Sequence, residues 1–313
     1  MRWPSRCPTP PGTRCSRPWR RICRDRAVDQ GPESVRGEDR VTLSNDPFAE
    51  RFGPDGCRRF DDGLVLPVQV GPYFHTLAEE PAGLGAYADA IGAELPAPEQ
   101  RAWTRLGSDR AYDIVADPQR RVHGLLIRYA DEPLVFVNSS PEAFAASLLG
   151  LDELLDTLAS TDDPGRAAAA FAGLEERLAA LDPEAFADRG SWWPLVLDDI
   201  RDTSSVENYA AFEILDDNGD KQVFTSSGSI CLHPEERVWR NLEAAGIQPE
   251  QVVRIYTELE ACAMPGHYCS MWFALAFPNA RVTHSFPYGE TAESRSEGIR
   301  QLRAALAQRG RGE

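Results

Sequence analysis

The sequence predicts two domains of mixed type, α+β over residues 46–200 and α/β over residues 201–313, the second with three layers, α/β/α, and a mixed sheet. Three observations carry this. A meander of short apolar runs leads into two amphipathic helical stripes. An Asn-Gly hairpin then opens a stretch in which strands and helices alternate. The residues patterned like a metal site, His233, Cys262 and Cys269 with Glu235, all fall in that stretch.

At 313 residues the chain is long enough for two cores. Its formal charge of −16 argues against a nucleic-acid surface built on bulk electrostatics, because phosphate contacts need clustered lysine and arginine. No apolar run reaches membrane-spanning length and the start lacks the apolar stretch of a secretory signal, so the expected location is cytoplasmic, with reduced thiols. Residues 1–45 are rich in arginine and proline and read as disordered. Cys7, Cys15 and Cys23 sit there at no metal-like spacing, and translation starting near Val41 would omit almost all of the segment.

From residue 46 the turns Phe52-Gly53-Pro54 and Gly71-Pro72-Tyr73-Phe74 precede apolar runs at 64–66, 112–115, 122–127 and 134–137, a meander of strands. Ser140 then caps a helix whose first position is Pro141, with Phe144, Leu148, Leu151 and Leu155 on one face. A second helix follows Asp163-Pro164-Gly165, with Phe171, Leu174, Leu178 and Leu181 at similar spacing, and both stripes read as core. A helical connection through Trp192-Trp193 closes the domain.

Residues 46–200 resemble the SUKH superfamily of immunity proteins, its fourth group most closely. The resemblance is carried by Phe52-Gly53, Leu64-Val65-Leu66-Pro67, Gly71-Pro72-Tyr73-Phe74, the strand into Asn138-Ser139-Ser140-Pro141, and Asp182-Pro183 with Trp192-Trp193. It implies a protein-binding module, in a family many of whose members neutralise toxins. Cys57, His75 and His123 are isolated and read as structural.

In the second domain, strands at 209–215 and 222–225 flank Asn218-Gly219, a strong hairpin signal. A helix from Pro234 to about residue 245, a strand at 252–256, a helix at 268–277, a strand at 280–286 and a last helix from about Glu293 complete the order. Pro234 suits a first helical position, so His233 and Glu235 sit at a helix start. Cys262 follows a strand, and Cys269 opens the next helix. One imidazole and two thiolates supply three of zinc's four tetrahedral positions and leave the last for water, with Glu235 placed to handle that water's protons. If the two helix starts converge, their positive ends favour thiolates. His267, between the cysteines, is an alternative ligand or a wall of the pocket. His284 reads as a pocket wall or a core histidine, and Glu258 and Glu260, flanking the metal loop, as solvated carboxylates or, alternatively, substrate contacts.

This second stretch looks like the nucleic-acid and nucleotide deaminases of bacterial polymorphic toxin systems, within the cytidine deaminase-like superfamily. Carrying the resemblance are the segment from Tyr256 through Cys262 to Cys269, then Phe277-Pro278-Asn279-Ala280 and Val282-Thr283-His284-Ser285-Phe286. It implies zinc held by His233, Cys262 and Cys269, Glu235 as the catalytic acid and base, and a cytosine- or adenine-type base as substrate, in a nucleotide or single-stranded nucleic acid. One departure stands out: six residues separate the cysteines where the superfamily's Cys-x-x-Cys has two. The alternative reading is a non-catalytic interaction protein carrying a degenerate deaminase fold, its first domain binding a toxin or other protein partner.

Overall fold

A computed structural model describes residues 47–309, apart from 54, 128, 130, 131 and 217; the segment 1–45 with Cys7, Cys15 and Cys23 lies outside them. After helix α1 (Pro47–Phe52) come the paired strands β1 (Cys57–Arg59) and β2 (Val65–Pro67). An antiparallel sheet then runs in sequential order through β3 (Gln69–Val70), β4 (Phe74–His75), β5 (Thr104–Ser108), β6 (Asp113–Ala116), β7 (Val122–Leu125) and β8 (Val135–Asn138), with α2 (Leu84–Ile91) between β4 and β5. Helices α3 (Pro141–Ser160), α4 (Pro164–Leu181) and α5 (Trp192–Ser205) follow.

The predicted Ser140 cap corresponds to an observed bond, and Asp163 caps the next helix in the same way. Ser140 Oγ accepts from the Ala143 amide and Asp163 accepts from the Gly165 amide, each beside a proline in the first turn. Sequence alone predicts neither β5 nor α2. β5 carries Arg105 inward, which breaks the apolar pattern, and the charge is buried only because Glu80 and Asp113 grip it at 2.7 and 2.6 Å. α2 starts at Gly83 with no side-chain cap and ends on Gly92 in the left-handed region, φ 64°.

The core of this region is built on Trp192 and Trp193, T-stacked at 4.8 Å and fully buried with Phe144 and Phe74. Each indole N–H is matched to an acceptor: Trp193 donates to Asn138 at 2.7 Å and Trp192 to Asp109 at 2.6 Å. Buried Asp182 accepts from Asn138 Nδ2 and the Ser139 amide, tying the end of α4 to the end of β8. The Asn138-Ser139, Asp182-Pro183 and Trp192-Trp193 motifs are therefore one hydrogen-bonded unit.

From residue 209 the chain forms a four-stranded mixed sheet in the order β10-β9-β11-β12. β9 (Tyr209–Leu215) and β10 (Lys221–Ser227) make the hairpin turned at Gly219, φ 82°, and β11 (Val252–Leu259) pairs antiparallel with β9 and parallel with β12 (Arg281–Phe286). Helix α6 (Pro234–Ala244) packs on β9 and β10, and α8 (Ala292–Arg309) on β11 and β12. The short helix α7 (Cys269–Ala276) adds Phe273, which with Phe277 stacks on Phe212 of β9. This is the α/β plan expected for the second half. Residues 45–313 form a single compact unit, and α5 runs unbroken through position 200.

Asp109 joins the two halves: its Oδ2 accepts from Trp192 and, at 2.7 Å, from the Tyr268 hydroxyl. Burial lifts its carboxyl from 3.8 to about 6 against the pull of these donors. A raised folded-state pKa gives stability that is complete below pH 4 and lost as pH rises through about 6. Asp109→Asn, which does not titrate, should therefore gain on the unmodified protein between pH 4 and pH 7, by on the order of 3 kcal/mol at about 1.4 kcal/mol per pH unit. Denaturant unfolding at several pH values measures the difference, and a pH-independent gap between the two proteins would refute the assignment.

Candidate metal centre

Three local structures deliver the candidate ligands. His233 is the N-cap of α6, extended at φ −70° and ψ 148°, with Pro234 as the first helical residue. The Glu236 carboxylate reaches back to the His233 amide at 3.2 Å, the return half of a capping box. Cys262 lies three residues beyond β11, its carbonyl accepting from both the amide and the hydroxyl of Ser270 at 3.0 Å. Cys269 is the first residue of α7. The two helix starts converge, and their positive ends face the same point.

At that point His233 Nδ1 lies 3.5 Å from Cys262 Sγ and 3.4 Å from Cys269 Sγ, with all three residues buried. Glu235 is buried beside them. The structure thus brings together the four residues singled out from the sequence. His267 stacks flat on His233, ring centroids 3.9 Å apart at 11°, and its Nδ1 meets Glu236 at 2.9 Å. It belongs to a second cluster with Asp199 and His233 rather than to the thiol cluster.

The protonation pattern is polarised. Burial pushes the Cys262 thiol up, yet the Cys269 hydrogen bond and the His233 charge outweigh it and hold Cys262 well below the usual range. Burial would lower His233, but the Cys262 thiolate and Asp199 raise it well above normal. Burial and the neighbouring Cys262 raise Cys269, and burial raises Glu235. A proton on His233 Nδ1 therefore faces a thiolate, in the place a cation would take. Zinc fits this donor set: with bond lengths near 2.3 Å to sulfur and 2.0 Å to nitrogen, a tetrahedral N···S edge is about 3.5 Å, and the two observed edges are 3.4 and 3.5 Å.

Sequence reasoning missed Asp199. It is fully buried on α5, and its Oδ1 lies 3.0 Å from His233 Nε2. Its Oδ2 accepts from the Tyr73 hydroxyl at 2.7 Å and lies 3.2 Å from His267 Nε2. Burial opposes ionisation, but the His267 and His233 imidazoles prevail and hold the carboxyl far below the usual range. The available signal was Asp198-Asp199 embedded in the apolar run from Trp192 to Ile200, since acidic groups on a core-facing helix are kept only when paired. Arg110 was missed as well; it forms an ion pair with Glu236 and donates to the Gly266 carbonyl at 3.4 Å.

Several expectations need correction. Glu258 is not solvated: it is buried, accepts from the Tyr209 amide at 3.0 Å and pairs with Arg309 at 2.9 Å. Glu260 is half-buried and accepts from the Tyr288 amide. His284 is exposed on β12, not in a core or pocket wall, because β12 is an edge strand. The cavity in front of Glu235 holds about 30 Å³, room for a water or two. Asp202, Val206, Glu260 and Tyr288 wall it, and the Tyr288 hydroxyl donates to Asp202 at 2.7 Å across it.

Among known proteins, the family model of a Xanthomonas-like deaminase matches residues 205–305. The model of the SUKH-4 immunity proteins matches residues 32–199. No curated protein and no solved structure matches the chain. Among the described residues no helix is long and apolar enough to cross a membrane.

Proposed function

The chain belongs to the SUKH-4 immunity protein family and carries a deaminase domain after it, and we propose that residues 201–313 are a zinc-dependent hydrolytic deaminase of a nucleobase, joined to a protein-binding module at 46–200. The observation that carries this reading is the approach of His233 Nδ1 to both cysteine sulfurs with Glu235 buried alongside.

In this reading His233, Cys262 and Cys269 hold the metal. Zinc, when bound, supplies Lewis acidity that brings a water's pKa close to 7. Glu235 removes a proton from the water that attacks the amine-bearing carbon, C4 of cytosine or C6 of adenine. It delivers that proton to the adjacent ring nitrogen, and a second transfer lets the amine leave as ammonia. Burial suits Glu235 to this exchange, because a raised carboxyl pKa brings its protonated form nearer to working pH. The cavity walls hold Asp202 and Glu260 and no lysine or arginine, which favours an uncharged base or nucleoside over a phosphate. The 46–200 module supplies the protein partner surface, for a toxin or another effector.

Metal analysis of purified protein should find about one equivalent of zinc, and Cys262→Ser should lower it to below a tenth. Ammonia release is then screened across bases, nucleosides, nucleotides and single-stranded oligonucleotides. On the substrate found, Glu235→Gln should keep its zinc and lose about 10²- to 10⁴-fold in rate. Full activity of Glu235→Gln would sink the mechanism, and a zinc-free active protein would sink the metal.

A further inference from the structure

The carboxylate that meets the outer nitrogen of the candidate metal imidazole does not come from the deaminase segment. Asp199 lies outside the 205–305 stretch, on the helix that closes the immunity-type domain. Its Oδ1 accepts a hydrogen bond from His233 Nε2 at 3.0 Å, and Nδ1 is the nitrogen turned to the two sulfurs. Its Oδ2 is itself held by the Tyr73 hydroxyl at 2.7 Å, from the Gly71-Pro72-Tyr73 turn. A carboxylate that accepts from the outer nitrogen of a metal-binding imidazole sets its tautomer and ring orientation and raises its basicity.

The loop that delivers Cys269 is shaped from the same side. Gly266 has φ 79°, and a Cβ there would lie 2.9 Å from the Pro72 carbonyl oxygen. Tyr268 donates to Asp109, and His267, stacked on His233, is held by Glu236, whose other oxygen is paired with Arg110. Residues 266–268 of the inter-cysteine loop thus lie against the first domain.

We propose that Asp199 is the positioning residue of the metal centre, and that residues 46–200 are through it a working part of the deaminase rather than an independent passenger. This rests on the zinc reading given under Proposed function. Substrate never touches Asp199; it acts through His233.

The test is the zinc dissociation constant of the full chain, by competition with a chromophoric chelator, with folding of each metal-free protein followed by circular dichroism. Asp199→Ala should bind zinc about 10- to 100-fold more weakly. Asp199→Asn, which keeps an acceptor oxygen without the charge, should fall between Asp199→Ala and the unmodified protein, and it serves as the test if the alanine variant does not fold. Asp182→Ala removes a buried carboxylate that holds only Asn138 and Ser139. It should lower the unfolding temperature and leave zinc affinity unchanged, which separates positioning from general destabilisation. Asp199 variants binding zinc within twofold of the unmodified protein would overturn the proposal alone, as would an equal loss in Asp182→Ala. Unmodified protein that takes up no zinc would overturn the zinc reading, and this proposal with it.

Discussion

A carboxylate taken wholly out of water has to be paired, and the geometry around the candidate centre depends on how Asp199 meets that requirement. One oxygen is committed to His233; the other is shared between Tyr73 and His267. His233 is in turn fixed by the start of α6, and Tyr73 by a tight turn between β3 and β4. Three distant stretches of chain are thereby held at one anion. Breaking such a buried pair from one side costs about 3–5 kcal/mol, because the remaining charge has nowhere to go. The same low dielectric that makes the arrangement costly to disrupt strengthens its polarisation toward the thiols.

The lengthened spacing between Cys262 and Cys269 looks, in sequence, like a weakened motif. In three dimensions it is a docking element. Each residue from Gly266 to Tyr268 has a partner across the seam: Gly266 against Pro72, His267 with Asp199, Tyr268 with Asp109. Tyr268 takes a left-handed conformation at φ 45° immediately before Cys269, a strain that its buried bond to Asp109 offsets. The sulfurs still meet the imidazole at equal distance within 0.1 Å, 3.5 and 3.4 Å. Loop length therefore changed what the loop touches without changing where it ends.

Sequence reading succeeds here where the information is local. Ser140-Pro141, Asp163-Pro164 and His233-Pro234 mark helix starts within two residues, and Asn218-Gly219 marks the hairpin, because capping and turn chemistry act over a few residues. It fails where a residue's role is set by a distant partner. Arg105 belongs in β5 only because Glu80 and Asp113 meet it, and Asp199 is intelligible only beside His233 and Tyr73, 34 and 126 positions away. Glu258 misled for the same reason: its pairing with Arg309 spans 51 positions. The candidate ligands and Glu235 were legible because their residue types are rare together. The groups that orient them were not, since aspartate, tyrosine and arginine are common and only the fold distinguishes these copies.

Placing Asp199 and Asp202 one turn apart on α5 constrains how the cavity opens. It has room for water, at about 30 Å³, and two of its lining residues are joined by the Tyr288–Asp202 hydrogen bond. Moving α5 outward would part that bond, but it would also draw Asp199 from His233 and so disturb the imidazole that faces both sulfurs. Tyr288 is itself buried, in one apolar cluster with Cys262, Cys269 and Ile299. Its segment is held by the Glu260 carboxylate at its own amide and by Ser294 at the Gly289 amide, single bonds at the surface of the site. Both walls are therefore tied to the candidate ligands, α5 through Asp199 and His233 and the segment after β12 through Tyr288 in the cluster with Cys262 and Cys269.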